Sequence, residues 1–212
     1  MEVKLEREHE VDNWEEVILI YTAALKQISM KLEIINDEFQ RVHRYNPIEH
    51  IKSRIKSSES IVKKLKRYGS ESTIANMVNR VNDIAGIRVI CSFTSDIHQI
   101  ADIISRQADI RILGVKDYLK NPKENGYKSY HMLVSVPVYL SNRIVDTKVE
   151  IQIRTVAMDF WASLEHKIHY KFEGNAPAHI EAELTECAQM VSELDNKMLS
   201  LNNDILALEE DY

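Results

Sequence analysis

The chain has 212 residues, of which 44% are hydrophobic and 28% charged, a composition that is typical of globular proteins and excludes fibrous and disordered classes. Five Gly and four Pro are few for a loop-rich chain and favour extensive helix. The first eight residues carry no apolar core, and no apolar run approaches the roughly 20 residues of a membrane span, so we predict a cytoplasmic protein without a signal peptide. Cys91 and Cys187 are predicted to be buried thiols that do not pair.

Charge is unevenly distributed along the chain, although the net charge is only −6. Between His50 and Tyr68 there are seven Lys or Arg and a single acid, Glu59. Residues 177–212 contain nine acids and one Lys. An exposed solubilising surface would mix the two signs, so this basic block predicts an anionic ligand.

The N-terminal part of the chain is predicted to be largely helical. Apolar residues recur at spacings of three and four over residues 13–45 and predict one long helix or two nearly continuous helices. The basic segment 50–56 is predicted to be extended. Ser57 or Ser58 can cap a helix that runs through Tyr68.

The middle of the chain predicts a sheet with helices between its strands. The predicted strands are residues 84–93, 110–115, 131–140 and 143–154, the last two joined as an antiparallel hairpin. The predicted helices are residues 73–82, a helix capped by Ser95 that runs through Arg106, and a helix capped by Thr155.

A C-terminal helix carries an uninterrupted heptad pattern. Its apolar positions are Ile180, Leu184, Cys187, Val191, Leu194, Met198, Leu201, Ile205 and Leu208. The order of elements predicts one α+β domain, with an N-terminal helical arm (1–46), a catalytic core (47–173) and a C-terminal helix (174–212).

The last predicted strand has one polar and one aliphatic face. Its polar positions are Asp146, Lys148, Glu150, Gln152 and Arg154. A solvated sheet face and a binding surface explain this pattern about equally well.

Two features in and near the predicted strand 84–93 suggest nucleotide chemistry. Arg88 is its only cation, and a buried guanidinium needs either a carboxylate partner, with Asp83 as one candidate, or a flat base or phosphate. Asp83 and Glu150 occupy positions from which two carboxylates can share one Mg²⁺.

The loop before the hairpin adds mobile positive charge and an aromatic ring. Four lysines suit phosphate oxygens, and Tyr127, beside Gly126, suits stacking on a base. The four are Lys116, Lys120, Lys123 and Lys128. His131 can donate to a phosphate. Neither a P-loop nor a kinase glycine loop occurs in the sequence, so side chains would hold any nucleotide.

Taken together, these motifs resemble the synthetase domain of the RelA/SpoT alarmone enzymes, in particular its small single-domain branch. The matching segments, in the order of the family, are Arg54 to Lys56 with Ser60 to Leu65, Asp83 to Val89, Asp117 to His131, and Glu150 to Thr155. The segment from Ala157 to Lys167 is similar to the small branch specifically. The resemblance covers roughly residues 50 to 171.

The resemblance implies a nucleotidyltransferase-like mixed sheet of about five strands and transfer of pyrophosphate from ATP to the ribose 3′-hydroxyl of GDP or GTP. The implied ATP-binding residues are Arg54, Lys56, Ser60, Lys64, Arg67 and Arg88, with the two arginines on either side of the adenine. The implied GDP- or GTP-binding residues are Lys123, Asn125, Tyr127, His131 and Gln152. Asp83 and Glu150 are implied as Mg²⁺ ligands, and Glu150 as the group that activates the 3′-hydroxyl.

The resemblance also bears on partners. About fifty residues precede Arg54, too few for the hydrolase domain of the long relatives, so alarmone hydrolysis is not expected. A homotetramer, an allosteric alarmone ligand and single-stranded RNA are the further partners it implies. Two alternatives stay open, namely transfer of pyrophosphate to the 3′ end of tRNA, and a nucleotide or RNA sensor without catalysis.

Overall fold

The computed structural model describes residues 13–172 and 176–210, apart from the side chains of residues 169, 170, 209 and 210. Six helices and five strands occur within these ranges. The helices are α1 (Trp14–Val42), α2 (Ser58–Arg67), α3 (Ile74–Arg80), α4 (Thr94–Ser105), α5 (Val156–Lys171) and α6 (Ala178–Glu210). The strands are β1 (Ile48–Ile55), β2 (Ala85–Cys91), β3 (Arg111–Asp117), β4 (Tyr130–Tyr139) and β5 (Ile144–Thr155).

The five strands form one mixed sheet in the order β1-β2-β5-β4-β3. Strands β2 and β5 are parallel, whereas the other neighbours are antiparallel. The predicted α+β architecture with a mixed five-stranded sheet is therefore confirmed. None of the helices in the described part of the chain combines the length and apolar character that crossing a membrane requires.

One face of the sheet is aliphatic and forms the core. Ile87 and Val89 of β2 and Ile151 and Ile153 of β5 are at most 2% exposed, and they share one hydrophobic cluster with buried side chains of α1 and α4. Helix α1 alone contributes eight buried residues to this core, because its apolar positions follow the helical period. Side chains alternate along a strand, so the polar side chains of β2 and β5 lie on the opposite face. That face carries Arg88, Glu150, Gln152 and Arg154.

Most predicted helix ends agree with the structure, with one exception. Ser57 caps α2, and its hydroxyl accepts a hydrogen bond from the backbone of Ser60 (3.3 Å). Ser95 does not cap α4, because that helix begins one residue earlier. The carboxylate of Asp96 instead accepts a hydrogen bond from the backbone N–H of Phe93 (2.9 Å).

Helix α6 packs on the core up to Asp195, whose carboxylate accepts a hydrogen bond of 2.7 Å from the hydroxyl of Thr155. Ala188 lies against Trp161 of α5, together with Leu184 and Val191. The later apolar positions of the heptad pattern, Leu194, Met198, Leu201, Ile205 and Leu208, are 47–63% exposed. Cys91 is buried as predicted, but the prediction that Cys187 is buried is wrong, because this position of α6 faces away from the core.

Candidate active site

The strand register aligns polar side chains in a row across the polar face. Backbone pairing places Arg88 beside Gln152, and Gln152 beside His131. The row extends at its ends to Lys52 of β1 and Lys116 of β3. Two residues away along each strand lies a second row, in which backbone pairing places Gly86 beside both Arg54 and Glu150.

Gly86 leaves room in the middle of this second row. A Cβ built on it would have no other atom within 4 Å, so the space between the backbones that carry Arg54 and Glu150 is open. An open space between a basic strand and a carboxylate can receive a polyanion whose reacting end points at the carboxylate.

Asp83 lies at one side of this space, held by two lysines. Lys56 and Lys64 each donate a hydrogen bond of 2.8 Å to one oxygen of its carboxylate. Burial alone would raise the pKa of Asp83, but these two bonds outweigh it and hold the pKa below its usual value. Burial likewise would lower the pKa of Lys64, and the bond with Asp83 reverses the shift, with a smaller contribution from Glu150. Lys64 therefore interacts with both carboxylates.

Glu150 belongs to the second row, and its side chain contacts two residues of the first row. Gln152 donates a hydrogen bond of 2.7 Å to Oε2 of Glu150, and Nδ1 of His131 is 3.9 Å from Oε1. The side chain of Glu150 is 23% exposed, so it is accessible from the cleft while its orientation is fixed by Gln152. A carboxylate in this state can accept a proton from a hydroxyl that enters the cleft.

Tyr127 dominates the other side of the cleft. Its ring lies between two cations, because Nζ of Lys123 is 4.6 Å from the ring centroid and the guanidinium carbon of Arg154 is 5.0 Å from it. Tyr118 contacts the same ring edge-on at 5.8 Å. An electron-rich ring flanked by mobile positive charge suits a base with attached phosphates.

His131 is neutral in this environment. Burial, followed by the positive charges of Arg154 and Lys123, lowers its pKa to about 3. Its contact with Glu150 is therefore not an ion pair at neutral pH. Arg154 donates a hydrogen bond to the Tyr127 hydroxyl (2.5 Å), which leaves the phenol proton to donate to Nε2 of His131 (2.8 Å). We infer that Nδ1 carries the imidazole proton and directs it towards Glu150.

The predicted residues do not all converge. Ser60 is engaged with Ser57, hydroxyl to hydroxyl at 2.9 Å, and the side chain of Asn125 donates to Glu165 of α5 (3.1 Å). Arg54 and Arg67 are exposed. Tyr127, His131, Glu150 and Gln152, by contrast, are joined by direct contacts, and Lys64 links Asp83 to Glu150.

Two residues of the cleft went without a predicted role. Asp159 of α5 accepts a hydrogen bond of 2.8 Å from Arg88, so Asp83 is not the partner of that arginine. Arg154 is buried, and it bonds to Asp159 (3.4 Å), Gln152 (2.8 Å) and Tyr127. The sequence did show that Arg88 needs a carboxylate partner. No local pattern shows, however, that this partner is Asp159, four residues after the end of β5.

Known proteins resemble this chain over most of its length. The family model described as a region found in RelA / SpoT proteins matches residues 53–175. The GTP pyrophosphokinase YwaC of Bacillus subtilis is 48% identical over 195 residues, which is 92% of this chain and 93% of that relative.

Solved structures give the same result. The small alarmone synthetase 2 of Bacillus subtilis is 47% identical, with a TM-score of 0.83 over 90% of this chain and 98% of that one. The small alarmone synthetase 1 of the same organism, bound to its product pppGpp, has a TM-score of 0.85 at 32% identity, over 91% and 97% of the two chains. Its complex with AMPCPP has a TM-score of 0.80 at 30% identity, over 92% and 98%.

Proposed function

The chain belongs to the RelA/SpoT family, and we propose that it is a GTP pyrophosphokinase that makes guanosine tetra- or pentaphosphate. The 3′-oxygen of GDP or GTP attacks the β-phosphorus of ATP, the bond between the α- and β-phosphates breaks, and AMP leaves. The observation that carries the proposal is the position of Glu150, which lies between the lysines bound to Asp83 and the cation-flanked ring of Tyr127.

The donor nucleotide is proposed to occupy the open space beside β1 and β2. Lys56 and Lys64 would exchange Asp83 for triphosphate oxygens, and Ser60 and Arg67 lie on the same helix, α2. Arg54 and Arg88 extend from neighbouring strands two positions apart in register, which suits stacking on the two faces of an adenine.

Magnesium fits the two carboxylates of the cleft. Lys64, a cation, interacts with Asp83 and with Glu150, so the pair already attracts positive charge. Two carboxylates are a sufficient protein contribution for Mg²⁺, since this ion takes one or two carboxylates and completes its shell with phosphate and water. Asp83 and Glu150 would hold it, and it would supply charge neutralisation on the transferred phosphates.

The acceptor nucleotide is proposed to stack its guanine on Tyr127. Lys123 would move from the ring to the phosphates, because a guanine on the same face displaces it. His131 and Gln152 lie between the ring and Glu150 and would orient the ribose. Asn125 lies two residues before the ring, at the edge of the same pocket. Glu150 would take the proton of the 3′-hydroxyl as the bond to phosphorus forms.

Product analysis tests this function. Purified protein is incubated with ATP labelled at the γ-phosphate, Mg²⁺ and either GDP or GTP, and the products are separated by chromatography. Label on a guanosine tetra- or pentaphosphate, with an equal amount of AMP, is expected. Label on added tRNA would instead establish the alternative acceptor, and nucleotide binding without turnover would establish a sensor.

We further propose that copies of the chain associate through the exposed part of α6 into the predicted homotetramer. Five apolar side chains at heptad spacing are exposed there, which is the pattern of a helix that packs on another helix. An allosteric alarmone and single-stranded RNA stay predictions, as does the division of the chain at residues 46 and 173. The substrates are the nucleotides of the cell interior, so we place the reaction in the cytoplasm.

A further inference from the structure

Asp159, in the first turn of α5, is the shared partner of the two arginines in the cleft. Its Oδ1 accepts from Nη1 of Arg88 at 2.8 Å and from Nη1 of Arg154 at 3.4 Å. Lys52 approaches its other oxygen at 3.9 Å. Asp159 is 8% exposed and contacts neither Tyr127 nor Glu150 among the hydrogen bonds of the described residues.

The two arginines lie beside different nucleotide pockets of the proposed function. Arg88 lies on β2, on the side proposed for adenine. Arg154 lies behind Tyr127, where it donates to the phenol oxygen and faces the ring, on the side proposed for guanine. The single oxygen Oδ1 of Asp159 thus connects the two sides.

The arrangement depends on the charge of the carboxylate. The side chain of Arg154 is 5% exposed and that of Arg88 is 30% exposed. Because both guanidiniums bond to the same carboxylate oxygen, their like charges are close and repel each other. Burial lowers the pKa of Arg154 and the positive charge of Arg88 lowers it further, whereas Tyr127 and, to a smaller extent, the negative charge of Asp159 raise it. Without that charge the two guanidiniums would repel each other, so Arg88, the more exposed of the two, would move towards solvent, and Arg154 would shift on its remaining partners Gln152 and Tyr127.

We propose that Asp159 is a positioning residue that holds Arg88 and Arg154 in place together, so that one side chain outside both nucleotide pockets sets the affinity of both. This inference rests on the proposed function, because it takes the two pockets from it. Asp159 would act through the arginines and would touch neither substrate.

Calorimetry of each nucleotide alone tests the proposal. The probes are GDP and, in the presence of Mg²⁺, the α,β-methylene analogue of ATP. The methylene group of this analogue replaces the bridging oxygen between the α- and β-phosphates, so the analogue binds without turnover. In Asp159→Asn both dissociation constants are expected to rise by roughly tenfold, because removing the charge of the buried carboxylate leaves both arginines without the partner that positions them. Arg88→Ala should weaken only the ATP analogue, and Arg154→Ala only GDP.

Asp96→Asn is the matched control. Asp96 is also a buried carboxylate (4% exposed) with side-chain and backbone hydrogen bonds, to Tyr45 and Phe93, but it contacts no residue of the cleft. Its loss should lower the melting temperature and leave both affinities unchanged. If Asp159 had only a structural role, Asp159→Asn would likewise lower the melting temperature and leave both affinities unchanged. Folded Asp159→Asn protein in which neither affinity, or only one of them, is changed therefore overturns the proposal.

If Asp159→Asn does not fold, Asp159→Glu decides. It keeps the charge but moves it by one methylene, so both dissociation constants should rise in parallel by a smaller factor, and two unchanged values would overturn the proposal. Wild-type protein that binds neither nucleotide would refute the proposed function instead, and this outcome is separate from an effect of Asp159.

Discussion

Individual side chains of the cleft partner one another in ways that only the assembled sheet reveals. Arg88 and Asp83 could each be recognised from the sequence as a charge in need of a partner. Asp83 bonds instead to Lys56 and Lys64, and Arg88 bonds to Asp159, which is 71 residues away. The chemistry of a residue follows from its type, whereas its partner depends on how distant strands and helices pack together, which no local sequence pattern specifies.

Glu150→Gln is expected to abolish most catalysis without loss of binding. The amide keeps the shape and can still bond to Gln152, but it cannot take the proton of the 3′-hydroxyl. The rate should fall by about 10² to 10⁴-fold, the usual contribution of a general base. The measurement is initial product formation, with calorimetry of GDP to show that binding persists.

Asp146→Asn is the control for that change. Asp146 lies on the same face of β5, where its side chain is 47% exposed and pairs with Arg111 at 3.4 Å. The same loss of charge there should leave the rate within a factor of two or so, because an exposed pair contributes little. Equal losses of activity in both variants would contradict the proposed role of Glu150.

The low pKa of His131 predicts an acid-sensitive fold. The unfolded chain takes up a proton near pH 6.5, whereas the folded imidazole resists protonation down to about 3, so stability falls as the pH drops through this range. The carboxylate of Asp83 changes the stability of the fold only at pH values below its usual pKa of 3.8, because its pKa in the folded protein is lowered. Between pH 6.5 and 5 the unfolding free energy of the wild type should therefore drop by about 1–2 kcal/mol more than that of His131→Gln.

Urea unfolding at both pH values measures this difference. Glutamine keeps a polar group opposite the Tyr127 hydroxyl but does not titrate. Equal pH dependence in the two proteins would mean that His131 is protonated in the folded state, and would contradict its assignment as neutral.

At the scale of helices and strands, the periodic pattern of apolar residues was sufficient to predict most elements. The helices α1 and α6 follow from spacings of three and four, and the polar and aliphatic faces of β5 follow from the alternation of its residues. The start of α4 was misplaced because its cap uses the side chain of Asp96 from inside the helix rather than Ser95. The contact of α6 with the loop that carries Tyr127 could not be predicted, because a heptad pattern does not specify which surface it covers.

That contact predicts a specific effect of Gly126→Ala. Gly126 has a φ of +82°, and a Cβ there would lie 2.5 Å from Cβ of Ala188 on α6. The left-handed backbone alone costs about 1–2 kcal/mol for alanine, and the close contact must in addition displace the loop or the helix. The dissociation constant of GDP should rise, because Tyr127 follows directly, while that of the ATP analogue should stay unchanged.

Two further variants separate the causes. Gly114→Ala, in β3, adds a methyl group with no atom within 4 Å and should change neither affinity. Adding Ala188→Gly to Gly126→Ala removes the contact but not the backbone strain, so it should restore GDP affinity in part. Unchanged GDP affinity in the single variant would mean that α6 does not hold the loop in solution.

For the whole molecule, the arrangement of the two nucleotide sides depends on the parallel pairing of β2 with β5. This pairing joins segments some sixty residues apart and brings Arg88 beside Gln152. The family resemblance implies which residues belong to each side, and that assignment stays a prediction. The strand order, in which β5 separates β2 from β4, was not predicted, because long-range pairing leaves no periodic signal in the sequence.

The exposed apolar heptad positions of α6 predict how copies assemble. Leu201 and Ile205 lie at successive heptad positions of α6 and are 48% and 56% exposed. Burying the half of each side chain that is still exposed would stabilise association by about 1 kcal/mol per residue, and a charge in its place must be desolvated. The double variant Leu201→Glu with Ile205→Glu should therefore reduce the molar mass measured by light scattering after size exclusion, with an unchanged far-UV circular dichroism spectrum.

Leu206→Glu is the matched control, since Leu206 is 50% exposed on the same half of α6 but lies outside the heptad positions. It should leave the molar mass unchanged. If the double variant and the wild type have the same mass, and that mass exceeds one chain, the copies associate through another surface. If the wild type itself has the mass of one chain, the exposed heptad residues do not drive association, and the predicted homotetramer is wrong.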